Sequence, residues 1–231
     1  MNTVGIVANA LVIGIFSLLG SVLRKTVSKD KFRILGICIV IVSVVGFFEN
    51  VYTVQNGKLI SGSLTLLLIA FIIGNELGEG LRINQHLSNL GKSGNAARNA
   101  IIDSFLYFGI GGLQICGPIA MVTNGDNSQL FLKSAIDIPF AIMFGATYGP
   151  WAAVAAIPVA LMQVVIALMA WFMGGFFTDQ VVKDVCSLGF IILFFSGFNL
   201  FTQGKKKIDN INMLPSILII LLYYGIREIF I

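Results

Sequence analysis

Long apolar runs separated by short polar stretches fill the chain from end to end. The runs are continuous rather than alternating, which selects helices over the strands of a closed barrel as the way to cross lipid. At about 1.5 Å per residue, eight segments approach the ~30 Å thickness of a hydrocarbon core. They are 5–23, 34–54, 62–79, 100–123, 132–149, 151–173, 184–203 and 211–230. The expected fold class is therefore all-α, a polytopic membrane helical bundle of about eight transmembrane helices forming a single domain over 1–231. Tyr148, Gly149 and Pro150 supply the turn between the fifth and sixth spans, because proline disfavours helix at the residue before it. Spans one to three and four to six each comprise a glycine-containing helix, a plain one and a longer one. An odd number of spans per unit makes such units inverted three-helix repeats.

The longest polar stretch, 80–99, carries Ile83, Leu87 and Leu90 at helical spacing, which predicts a short amphipathic helix ended by Gly91, Gly94 and Asn95. His86, the one histidine, lies on it without a second ligand or nucleophile nearby and reads as a solvated side chain.

Composition agrees with a membrane protein: 57% of residues are hydrophobic and 11% charged, too little polar surface to coat a water-soluble globule. Cys38, Cys116 and Cys186 stand singly in apolar stretches and read as buried, inert thiols rather than a disulfide framework or metal site. A net charge of +4 without an aromatic-basic reading motif points to topology, not nucleic acid. Eleven of the 15 basic residues follow spans one, three and seven: Arg24, Lys25, Lys29, Lys31, Arg33; Arg82, Lys92, Arg98; and Lys205 to Lys207. Cytoplasmic loops are enriched in such residues, so both termini are expected outside a bacterial cytoplasmic (inner) membrane, with the basic loops against its anionic headgroups.

Glycine and proline mark where helices touch or break. Gly14 and Gly20 in span one permit close helix approach. Gly117 and Pro118 in span four, and Pro139 in span five, are candidate helix breaks, since the prolines leave the carbonyls of Gln114 and Ala135 without their helical donors. Pro158 does the same to Val154 in span six. Either functional unwinding or simple kinks would follow.

Charge inside the spans is the candidate chemistry. Lys133 and Asp137 lie one turn apart in LFLKSAIDIPF, and a formal charge in hydrocarbon costs roughly 2.5 to 3.5 kcal/mol on insertion scales. Two readings stand. The pair is internal, with the lysine snorkelling outward, or Asp137 faces a cavity with Lys133 as its switchable partner for a proton, cation or anionic solute. Gln163 and Asn199 are further candidate contacts on facing helices. Asp103 and Asp137 fall near opposite ends of antiparallel helices, about 15 to 20 Å apart, so they cannot share a proton as a carboxylate dyad. Ser134 diverges from Lys133 by about 100° around the helix, which disfavours a serine and lysine nucleophile pair. Glu76 and Glu79 share a face at the end of span three, where they mark the interface or bind a cation.

GNELGEGLRI, LFLKSAID followed by AIMFGATYG, IPVALMQ, GFNL and NMLP together resemble the YqgA/YdfK type of bacterial inner-membrane protein, a domain-of-unknown-function family with some members labelled transport proteins. KSAID is the most specific part, and the resemblance runs along essentially the whole chain. It implies the membrane fold and no particular substrate.

The expected function is a small secondary transporter or permease for a small solute or ion, with Asp137 binding or relaying the cation or proton and Lys133 holding or releasing it. The alternative is a non-transporting membrane scaffold or sensor whose polar groups serve helix packing. Neither reading includes an enzymatic reaction, a metal or a cofactor. Eight spans make a thin wall for a pore, so a homodimer is the expected assembly.

Overall fold

The computed structural model describes residues 3–24, 29–55, 58–90, 95–109, 112–202 and 208–230. Ten helices carry nearly all of it: α1 Val4–Val22, α2 Lys29–Val51, α3 Leu64–Gly80, α4 Ile83–Leu90, α5 Ala96–Gly109, α6 Gly112–Thr123, α7 Ser128–Tyr148, α8 Ala156–Met173, α9 Asp179–Phe201 and α10 Pro215–Phe230. By length and apolarity five stretches can cross a membrane, or six if α5 and α6, whose axes differ by 60°, form one broken span. The protein is a multi-pass helical membrane bundle.

One short hairpin accompanies the helices. Strands β1 Tyr52–Gln55 and β2 Lys58–Ser61 pair antiparallel, with Thr53 opposite Ile60, and the Gly62 amide closes the unit by donating to the Val51 carbonyl at 2.7 Å. Aromatic and β-branched residues flank an Asn-Gly dipeptide there, the strongest short hairpin signal, so α2 stops at Val51 rather than continuing to 54.

The chain from α7 to α8 reverses direction. Gly149 ends α7 with φ of +76°, a conformation that suits glycine, and residues 149–155 form a 3₁₀ turn before α8. The reversal is visible in one residue: Asn9 of α1 hydrogen-bonds both Asp137 and Gln163. A straight helix would hold those two about 39 Å apart.

Close helix pairs are made through glycine. A Cβ on Gly5 would strike Leu130, one on Gly20 the backbone of Ile142 and one on Gly145 the backbone of Ser17, so α1 and α7 run parallel in close contact. Gly36 packs on Gly197 and Phe201 to join α2 to α9, Gly112 on Gly189 to join α6 to α9, and Gly74 on Ser216 to join α3 to α10, while Gly78 packs on Asn212 in the 3₁₀ turn just before α10. Small residues at such contacts let dispersion and backbone packing replace the hydrophobic drive that lipid does not supply. Gly14 is a correction: it faces open space and makes no such contact.

Outward faces are apolar. Leu11, Ile15, Leu68, Leu161 and Leu222 are all more than half exposed, the inside-out pattern that lipid solvates. Trp151 in the 3₁₀ turn before α8 and Trp171 in the last turn of α8 are 52% and 61% exposed, and tryptophan is enriched where membrane proteins meet the interface. Cys38 is likewise exposed, against the expectation of a buried thiol, whereas Cys116 and Cys186 are buried.

Two contacts join helix ends beside Arg33 and Arg82. Arg33 stands 5.1 Å from the centre of the Phe201 ring, bringing the start of α2 to the end of α9, and Asn84 at the start of α4 donates its amide to Asn212 Oδ1 at 3.0 Å. The amphipathic helix expected in 80–99 is α4; His86 is exposed on it, its Nδ1 3.0 Å from the Arg82 carbonyl. Asn95 accepts from the amides of Ala97 and Arg98, capping α5; Gly91 and Gly94 lie outside the described residues.

Candidate functional site

Four helices, α1, α6, α7 and α8, meet at a buried polar chain. Its charged end is Lys133 and Asp137, one turn apart on α7 and in contact through both carboxylate oxygens. They are only 6% and 3% exposed. The lysine therefore does not snorkel outward: the carboxylate is nearer than bulk water, and the Phe108 ring lies 5.9 Å from the ammonium and covers it. Asp137 is buried and held against Lys133.

From the carboxylate the chain continues through amides. Asn9 Nδ2 donates to Asp137 Oδ2 at 2.8 Å; Gln163 Nε2 donates to Asn9 Oδ1 at 3.0 Å and to Gln114 Oε1 at 2.9 Å; Gln114 Nε2 donates to the Val159 carbonyl at 3.1 Å. The orientation of every amide follows from the charge at its head. A carboxylate only accepts, so Asn9 must present its N–H and its Oδ1 must face Gln163; Gln163 must then donate, and Gln114 must offer its oxygen. One atom is left over. Gln163 Oε1 is fully buried and has no hydrogen-bond partner, as do the hydroxyls of Ser17 and Ser104.

An aromatic stack lies between this chain and the far end of α7. Tyr107 packs on Phe140 and Phe144 with ring centres 4.7 and 4.8 Å apart, and Phe144 stacks on Tyr148 at 5.6 Å. Asp103 sits against the Tyr148 hydroxyl, about 16 Å along α7 from Asp137, so the two carboxylates are well separated. Ser134 donates to the Leu130 carbonyl at 2.7 Å and is turned away from Lys133.

Of the remaining expected site residues, Asn199 belongs elsewhere. Its side chain donates to the Ile208 carbonyl at 2.7 Å and accepts from the Ile208 amide at 2.8 Å, holding the two ends of a loop. The helix breaks are also corrected. α6 runs unbroken through Gly117 and Pro118, and α7 through Pro139; the interruption falls between Gly109 and Gly112. Proline removes one donor, and the packing of Gly117 on Leu130 holds the helix across the gap. Ala135, whose carbonyl Pro139 leaves without a helical donor, is exposed on the face opposite the cluster.

The sequence profile described as "Protein of unknown function (DUF554)" matches residues 4–224. The chain belongs to this family. Among DUF554 relatives it is 27% identical to "Uncharacterized membrane protein YdfK" of Bacillus subtilis (strain 168) over 225 residues, 94% of this chain and 91% of that protein. It is 30% identical to "Uncharacterized protein YqgA" of Escherichia coli (strain K12) over 120 residues, 52% of this chain and 49% of that one. No solved structure matches it. The expected YqgA/YdfK kinship is thus shown, and the DUF554 match covers every member of the polar chain.

A second buried carboxylate was not foreseen. Asp184 of α9, 1% exposed, accepts from the Tyr224 hydroxyl at 2.6 Å and from Gln180 Nε2 at 2.9 Å, tying α9 to α10. It escaped notice because span seven was expected to begin at 184, where a carboxylate is an ordinary interfacial residue. α9 begins at Asp179 and carries it inside. Glu76 is exposed at the end of α3, and so is Glu79, which accepts from Asn75 at 3.0 Å.

Proposed function

We propose that this DUF554 protein is a small secondary transporter or permease for a small solute or ion, with Lys133 and Asp137 as its site and Asn9, Gln163 and Gln114 as the polar chain coupling that site to neighbouring helices. The observation that carries the reading is a buried ion pair joined through amides to four helices and ending on an unpaired acceptor. Helix packing alone needs far less, since one or two neutral hydrogen bonds suffice to hold helices in lipid. Ionisable groups at membrane depth mark solute and ion pathways more often than they mark glue.

The reading includes eight crossings. α3, with 17 residues, is just short of a full span, and the 128–176 stretch counts as two because it folds back at Gly149. It also places both termini outside a bacterial inner membrane, on the strength of the basic residues that follow spans one, three and seven in the sequence, and takes a homodimer as the working assembly. It includes no enzymatic step, a reading supported by the hydrogen bonds of the Ser134 hydroxyl to the Leu130 carbonyl and of the Lys133 ammonium to Asp137.

The closed pair favours one competitor, a scaffold or sensor in which Lys133 and Asp137 only hold helices together. Reconstituted protein separates the two. Solute-driven flux in proteoliposomes that D137N abolishes without unfolding the protein supports transport; an absence of flux under every ion and solute gradient supports the scaffold.

A further inference from the structure

The charge balance of the site restricts what it can take. Lys133 and Asp137 satisfy each other, so the buried cluster is neutral when closed. Unless a proton moves with it, a lone anion that captured Lys133 would strand a carboxylate in a membrane interior, and a lone cation that captured Asp137 would strand an ammonium. Either outcome leaves an uncompensated buried charge, the costliest arrangement available. A ligand bearing both charges exchanges with each partner in turn and leaves none unpaired.

We infer that the ligand of this site is a small zwitterion with one carboxylate and one ammonium group, of the size of a short α-amino acid. The inference rests on the transporter reading and deepens it. Its carboxylate would pair with Lys133 Nζ and its ammonium with Asp137. Gln163 Oε1 decides between this ligand and an undissociated carboxylic acid, which is equally neutral. The acid brings a single proton, which Asp137 takes up when the remaining anion binds Lys133, and it carries no further donor for the Gln163 oxygen. An ammonium group brings three N–H donors, enough for the Asp137 carboxylate and for the acceptor that has no partner. One amide, Asn9, separates Gln163 from the carboxylate.

The test is equilibrium binding to the purified full chain in detergent, with L-alanine, propionate and ethylamine compared at equal ionic strength. The inference predicts that L-alanine binds about tenfold or more tightly than either half-molecule, which is about 1.4 kcal/mol. It also predicts that Q163M weakens L-alanine about tenfold, and that K133M/D137L removes binding while the protein stays folded. Propionate or ethylamine binding as well as L-alanine would overturn it, as would no binding of L-alanine by protein that shows Asp137-dependent flux of another solute. That last result leaves the transporter reading standing, whereas an absence of Asp137-dependent flux for every solute removes the reading itself.

Discussion

Asn9 Nδ2 donates to Asp137 Oδ2 at 2.8 Å across 128 positions of sequence, so the first helix of the chain completes the coordination of the charged pair on the seventh. The same asparagine accepts from Gln163, so it bonds to side chains of both α7 and α8.

Breaking the pair on one side should therefore differ sharply from removing it. K133M or D137L alone leaves a buried charge without its partner and is expected to cost about 3 to 5 kcal/mol. K133M/D137L replaces both with apolar groups of similar volume and should unfold close to the wild-type midpoint. Unfolding of the three variants in detergent checks this.

The amide chain should behave as a unit. N9L and Q163L each interrupt the shared hydrogen bond, so their effects should not add. A double-mutant cycle is expected to return a coupling of about 0.5 to 2 kcal/mol, the range for hydrogen bonds between membrane helices. A value of zero would mean that the two amides do not interact.

Glycine contacts offer a test of the α1 and α7 packing. G145V places methyl groups into the backbone of Ser17, with an expected loss of about 1 to 3 kcal/mol or outright misfolding. G14A meets nothing within 4 Å and should be neutral. Thermal stability of the two variants side by side is the measurement.

Much of the bundle was legible because hydrophobic run length and the Gly149 turn are local signals. The Lys133 and Asp137 pairing was legible for the same reason, at one turn's spacing. The direction of the lysine was not, since it depends on Phe108 and on Asn9, both remote in sequence. Gln114 was visible only as the residue whose carbonyl Pro118 frees; its neutral side chain carries no charge to single it out, and it matters because α6 packs beside α8. Asn199 misled because a polar residue in an apolar run looks the same whether it faces a site or ties a loop.

Asp184 provides a contrast outside the site. Y224F removes its 2.6 Å hydrogen bond and is expected to cost about 1 to 3 kcal/mol of stability, because it leaves a buried carboxylate short of a donor, without affecting ligand binding at Lys133 and Asp137. Denaturation and binding measured on the same preparation separate the two effects.

The central claim is that Lys133 and Asp137 form a transport site and not only a structural pair. The most direct measurement is amino-acid uptake by proteoliposomes containing wild type or K133M/D137L, with both preparations shown to be folded. The account predicts uptake above empty liposomes for wild type and none for the double variant; equal uptake by both would contradict it.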